Sequence, residues 1–263
     1  MQNQKKCHQN VWILSGTADG PILAERLIEL DYVVFISVVS HKACNAYPLN
    51  SKLHIFTGTL NNKKEIINFI LKHQIHFIVD ATHPFAINIS KNLISACSNI
   101  SVPFFRFERI AQYKSNVEII SNFADINHEL IKNKNILLAI GSRALNEVAR
   151  FYFDLGANIF ARILATPNSI SNGFSSCINN SRLAILNPSY SKRNNLETYL
   201  CKYWRIDYIV CRDSGGYSQI IWDEICLRSN IKLYLLRRPE MQTNALIFSR
   251  YDDLIKKIVQ FEK

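Results

Sequence analysis

Short apolar, β-branched runs alternate along this chain with segments of helical period, and that alternation restricts it to parallel sheets covered by helices on both faces. Val11–Leu14 is the first run, Pro21–Leu30 places Leu23, Leu27 and Leu30 on one helical stripe, and Val33–Val39 is the next strand. Leu53–Phe56, a helix over Lys63–Leu71, Phe77–Asp80, a helix over Phe85–Ser98 and Val102–Phe107 continue the pattern. Residues 1–109 therefore read as a five-stranded doubly wound sheet with strand order 3-2-1-4-5.

The rhythm then restarts, with strands near Val117–Ile120, Ile136–Ile140, Ala157–Leu164, Arg182–Leu186, Tyr208–Cys211 and Lys232–Leu236. The polar, aperiodic stretch Arg109–Asn116 marks the boundary, so residues 110–263 form a second α/β domain. The last helix, Asp252–Phe261, has a stripe that suits either domain. The architecture expected is two Rossmann-like, doubly wound parallel-sheet domains with a cleft between them.

Several classes drop out on composition. No stretch approaches the ~20 uninterrupted apolar residues of a membrane span, and the polar start, Met1–Asn10, lacks a signal-peptide core, so a cytoplasmic location is expected. Seven cysteines without a C-x-x-C pair suggest neither disulfides nor a zinc site; most are expected to be buried, reduced thiols. The net charge of +10 invites an anionic partner, yet no run of five like charges occurs. Dispersed charge argues for a solvated surface over a nucleic-acid stripe.

Ligands of open parallel sheets bind beyond the carboxyl ends of the strands, where strand order reverses. The loop after the first strand is Ser15-Gly16-Thr17-Ala18-Asp19-Gly20, ending at Pro21 as the first helical residue. Small residues there let backbone amides approach a phosphate at the positive end of a helix. The fingerprint G-x-G-x-x-G is incomplete, because aligning Gly20 with its last glycine puts Ser15 and Thr17 where the others belong, and a plain glycine turn is the competing reading. The loop after the fourth strand, Asp80-Ala81-Thr82-His83-Pro84-Phe85, falls across the same crevice, with Pro84 opening the next helix and Thr82 and His83 near its start. A helix cap is the bland alternative for both. In the second half, Gly141-Ser142-Arg143 and Arg212-Asp213-Ser214-Gly215-Gly216 follow strands, and Arg143, Arg162 and Arg212 are suited to carboxylates.

The chain has no G-x-x-x-x-G-K-[ST], no H-E-x-x-H and no G-x-S-x-G, which removes P-loop nucleotidases, zincins and α/β-hydrolases. None of the eleven tyrosines has a lysine four residues later, which removes short-chain dehydrogenases.

Seven ordered segments remain: LSGTADGPIL (Leu14–Leu23), VDATHPFA (Val79–Ala86), VPFFRFER (Val102–Arg109), ILLAIGSRAL (Ile136–Leu145), ARILATP (Ala161–Pro167), CRDSGG (Cys211–Gly216) and LRRP (Leu236–Pro239). With D-A-T-H-P-F-A as the specific string, the chain resembles the precorrin-6A reductase and cobalt-precorrin-6A reductase family along nearly its whole length. The resemblance implies a two-domain enzyme of cobalamin biosynthesis that transfers hydride from NADPH to a carbon–carbon double bond of a polycarboxylate tetrapyrrole, precorrin-6A, without a metal cofactor. It implies that Gly16, Thr17, Ala18 and Asp19 line the cofactor phosphates and that Ala81, Thr82 and His83 border the nicotinamide. Ser142, Arg143, Arg162, Asp213, Ser214 and Gly215 would approach the substrate from the second domain. The many carboxylates of such a substrate give Arg106, Arg109, Arg143 and Arg162 a use, and His83 and Asp213 are the candidate proton donors.

Two segments depart from the family pattern. Val39-Ser40-His41-Lys42 stands where many members carry an Ala-Gly-Arg-like turn, leaving Ser40 and Lys42 to take a 2′-phosphate and NADH as the alternative to NADPH. Gln219-Ile220-Ile221-Trp222 stands where a Lys or Glu pattern is frequent. A non-catalytic dinucleotide- or tetrapyrrole-binding protein is the second reading, a nucleic-acid-binding protein the third, and a monomer that binds neither nucleic acid nor membrane is expected.

Overall fold

The computed structural model describes residues 9–60, 62–114, 117–187, 196–240 and 245–261. The chain divides into two compact units, residues 1–110 with 239–263, and residues 111–238. The first unit begins β1 (Asn10–Ser15), α1 (Asp19–Glu29), β2 (Val33–Val38), α2 (His41–Cys44), β3 (Leu53–Thr57), α3 (Lys63–Lys72), β4 (Phe77–Ala81), α4 (Ile87–Ile100) and β5 (Phe104–Phe107). The second comprises β6 (Val117–Ile120), α5 (His128–Ile131), β7 (Asn135–Ala139), α6 (Leu145–Asp154), β8 (Asn158–Ile163), α7 (Pro167–Phe174), β9 (Leu183–Ile185), α8 (Leu196–Tyr203), β10 (Tyr208–Arg212), α9 (Tyr217–Ser229) and β11 (Lys232–Leu236). β12 (Leu246–Phe248) and α10 (Tyr251–Gln260) complete the first unit.

Each unit holds one six-stranded parallel sheet among the described residues, in the orders β12-β5-β4-β1-β2-β3 and β6-β11-β10-β7-β8-β9. The 3-2-1-4-5 order holds in the first sheet, and the second repeats the reversal, between β7 and β10. Burial follows position: every residue of central β4 is buried, whereas edge strand β3 has none that is. One face of the first sheet packs Val11, Ile13 and Val79 against Leu23 and Leu27 of α1 and Leu254 and Ile258 of α10. The other packs Trp12 and Ile78 against Ile66 and Ile70 of α3 and Leu93 and Ala96 of α4. In the second sheet α6 covers one face and α8 and α9 the other.

Three features differ from the sequence reading. The range 110–263 is split, because β12 pairs with β5 and makes the first sheet six-stranded, while Leu254 and Ile258 of α10 join the core around α1. α1 starts at Asp19, so Pro21 is its third residue; that position still lies in the first turn, where an N–H has no partner inside the helix. α4 starts at Ile87, after a turn at Pro84–Phe85, so His83 stands on a loop and not at a helix start.

Cys97, Cys201, Cys211 and Cys226 are buried and Cys177 is exposed, while Cys7 lies outside the described residues. Burial pushes the Cys97 and Cys201 thiols up to about 12, and Cys211 and Cys226 are also raised by burial. A thiol reagent should therefore label Cys177 of the native protein rapidly and these four only on unfolding. Peptide mapping that found Cys201 or Cys211 labelled at the rate of Cys177 would contradict this burial.

Candidate active site

The carboxyl ends of β1 and β4 lie side by side, with Ser15 in register with Ala81. Thr17 ties the two loops together: its hydroxyl faces the Ala81 carbonyl at 3.1 Å and a carboxylate oxygen of Asp19 at 2.9 Å. Gly16 and Ala18 are exposed on the loop; α1 has no side-chain cap at Ala18, and its Asp19 and Gly20 amides turn back to the hydroxyl and carbonyl oxygens of Thr17 at 3.3 and 3.4 Å. A side chain built on Gly16 would meet nothing within 4 Å, so the space over the loop is open. Gly20 is the opposite case: a Cβ there would lie 2.1 Å from Ser15 Oγ and 2.3 Å from the Tyr47 hydroxyl. It does the close-packing work of the last glycine in the dinucleotide fingerprint. The Gly16–Asp19 loop and the Ala81–His83 loop are thus brought together.

A buried network holds the second loop from below. Asp80, at 0% exposure, receives the Thr82 amide at 3.0 Å, the Thr82 hydroxyl at 2.7 Å and the Ser90 hydroxyl at 2.6 Å. Arg106, at 1%, pairs with Asp80 at 2.7 Å and with Glu108 at 3.0 Å. The guanidinium assigned to substrate in the sequence is therefore committed inside the first unit. Arg109 is committed likewise: its Nε and Nη2 reach Asp19 at 2.9 and 2.6 Å. His83 is half-buried, and its Nδ1 accepts the Phe85 amide at 3.2 Å. That bond puts the proton of the neutral ring on Nε2. Ser40 and Lys42 are exposed beyond β2, where no carboxylate occupies residues 39–42.

In the second unit β7 and β10 adjoin as β1 and β4 do. Ser142 lies 3.3 Å from Ser169 and from the Asn172 amide, and Arg143 is exposed. Burial and the charge of Arg143 both push the Arg212 guanidinium down, so Gly141-Ser142-Arg143 and Arg212 form an electropositive edge. Arg162 is on the other face of the sheet, alternating with Ala161 and sharing its side with Phe160; it is 8% exposed, its Nε has no hydrogen-bond partner, and the charge of Glu197 offsets part of its burial. The Ser214 and Gly215 amides, read as anion donors, are both taken at 2.6 Å by Gln219 Oε1. Asp213, the second candidate proton donor, is met by Arg238 at 3.2 Å on its carboxylate and 3.0 Å on its carbonyl, and Tyr113 bonds to it.

Sequence reasoning had no signal for Tyr251 or the Asp80–Arg106 pair, because each acts through a partner remote in the chain; Gln219 turns back onto amides four and five residues before it. Among the described residues no cluster of three metal-ligating side chains exists, and no helix is long and apolar enough to cross a membrane. A cavity of about 800 Å³, lined by Cys97, Pro103, Phe104, Leu246 and Phe261, opens at the amino ends of β5 and β12, away from these loops.

Two doubly wound units, with a glycine-containing loop at the strand reversal of the first, define the Rossmann-like α/β class. Residues 10–259 match the model of the precorrin-6x reductase family, CbiJ/CobK, and the chain belongs to that family. It is 28% identical over 236 residues to the cobalt-precorrin-6A reductase of Synechocystis, covering 88% of each chain. It is 26% identical over 261 residues to that of Methanocaldococcus jannaschii, covering 96% of this chain and 99% of the relative. The solved structure of CobK precorrin-6A reductase superposes with a TM-score of 0.77 at 17% identity over 96% of both chains, which shows the shared fold. The chain is an oxidoreductase of cobalamin biosynthesis acting on a CH–CH group.

Proposed function

We propose that the chain reduces a carbon–carbon double bond of precorrin-6A or cobalt-precorrin-6A, with NADPH as donor, to give the corresponding precorrin-6B. The observation that carries this reading is the joining of the glycine loop to the Ala81–His83 loop through Thr17, because it sets a phosphate-binding helix end beside a proton-bearing side chain. The residues fit the cofactor: open space over Gly16, a loop exposed at Gly16 and Ala18, and no carboxylate within residues 39–42 to repel a 2′-phosphate. Bound NADPH supplies the hydride.

The chain's own work is binding, orientation and proton delivery. The loop Gly16–Asp19 binds phosphate, and Ser40 and Lys42 bind the 2′-phosphate. Ala81, Thr82 and His83 form the nicotinamide border, and His83, through its Nε2–H, orients the water that supplies the proton. Ser142, Arg143 and Arg212 receive substrate carboxylates as bidentate or hydroxyl donors. Arg162, buried beside Glu197 on the covered face, supports the sheet beneath them; Arg106 and Arg109 serve the loops of their own unit. Asp213, Ser214 and Gly215 shape the β10 loop, with Gln219 filling its amides. On this reading the protein acts in the cytoplasm as a monomer.

The test is consumption of NADPH by purified protein given cobalt-containing and metal-free substrate in turn, against NADH. Lys42→Ala should raise the KM for NADPH about tenfold, the value of one charged hydrogen bond, and leave that for NADH alone. Binding of nucleotide without turnover of either macrocycle would leave only a binding protein.

A further inference from the structure

Asp19 presents a contradiction at the proposed cofactor loop. It is the first residue of α1, where the helix dipole favours a negative charge, and its side chain is 6% exposed. The same helix end is where phosphates must bind, so two anions compete for one positive pole. The carboxylate is not left bare. Arg109, 90 positions away, meets it through Nε at 2.9 Å and Nη2 at 2.6 Å, and the Tyr251 hydroxyl, 232 positions away, donates to it at 2.7 Å.

Both partners are fixed in turn. Arg109 follows β5, the strand to which β12 is added, and Tyr251 opens α10 immediately beyond β12. The Tyr251 ring stacks on Phe107 with centroids 4.7 Å apart and planes 12° from parallel. Arg26 of α1 lies 5.1 Å over the same ring and pairs with Asp252. Burial and the neighbouring Asp19 push the Tyr251 hydroxyl up to about 12, so it remains a donor at neutral pH.

We infer that Arg109 and Tyr251 are positioning residues for the cofactor: Arg109 cancels the Asp19 charge that would repel dinucleotide phosphates, and Tyr251 locks that carboxylate, through the returning C-terminal segment, to the glycine loop. The inference rests on the proposed assignment of Gly16–Asp19 to the phosphates. Neither residue touches the reacting atoms, so their removal acts on nucleotide affinity and leaves the rate at saturation within about threefold.

Fluorescence titration of the full chain with NADPH tests it. Arg109→Gln should raise Kd about tenfold or more, since it leaves a buried carboxylate uncompensated. Arg109→Lys keeps the charge and should stay within about threefold of wild type, and Asp19→Asn with Arg109→Gln should return to the same range. Tyr251→Phe should raise Kd about fivefold and gives an arm that does not depend on Arg109→Gln folding. A double variant as weak as Arg109→Gln, or Arg109→Lys as weak as Arg109→Gln, would show that geometry and not charge is at stake and would overturn the inference. Normal binding by Arg109→Gln overturns it while leaving the cofactor assignment standing. Failure of cooperatively melting wild-type protein to bind NADPH overturns both.

Discussion

Asp80→Ala should destabilise the first unit by about 3–5 kcal/mol, the usual cost of breaking a buried ion pair from one side. Asp80 and Arg106 are 0% and 1% exposed, so removing the carboxylate leaves a guanidinium inside the sheet with Glu108 as its remaining carboxylate partner. The loss is a large part of the 5–15 kcal/mol that holds an ordinary domain together. Urea unfolding followed through buried Trp12, in the strand beside β4, reads it. The double variant Asp80→Ala with Arg106→Met should recover much of the loss, because an apolar pair of similar volume avoids the desolvation of both charges. A single variant that loses less than about 1 kcal/mol would mean that water reaches the pair. The loop above should loosen as well, since Asp80 holds both the amide and the hydroxyl of Thr82, so His83 variants and Asp80 variants should affect turnover non-additively.

Gly20→Ala should cost about 1–3 kcal/mol of stability and weaken NADPH binding more than tenfold. The added methyl would sit 2.1 Å from Ser15 Oγ, 2.6 Å from Ser15 Cβ and 2.3 Å from the Tyr47 hydroxyl, so α1 must back away from β1. That movement carries the Gly16–Asp19 loop, to which phosphate binding is proposed, off the end of β1. Gly16→Ala separates the two effects. Its methyl meets nothing within 4 Å and should change stability by less than about 0.5 kcal/mol, yet it protrudes into the open side of the loop and should weaken nucleotide binding. Thermal melts and NADPH titration of the two variants check the pair; equal loss of stability in both would refute the close-packing role of Gly20.

How far the site could be read in the sequence depended on the kind of signal. The β1 and β4 loops were legible because Gly, Thr, Asp and Pro clusters interrupt apolar runs, and the strand order 3-2-1-4-5 places them together. The roles of charged residues were less legible. Arg106 and Arg109 read as substrate ligands because basic residues suit a polyanion, but strand register delivers one to Asp80 and the loop path delivers the other to Asp19. Ser214 and Gly215 read as open amides because the Gly-rich turn carries no sign that Gln219, one helical turn further on, folds back onto them.

The sequence by itself determined the class: periods of two and 3.6 residues, set by backbone geometry, dictate strands and helices locally, and ordered motifs over most of the chain dictate the family. Only the tertiary structure decided the fate of residues 239–263 and the pairing of the buried charges. β12 is three residues long, two of them exposed, so nothing in its pattern announces a sixth strand until β5 offers an edge. A charge, likewise, has no intrinsic partner, and burial makes its choice binding: in low dielectric Asp19 and Asp80 must be met by whichever cations the fold brings within reach, however distant in sequence.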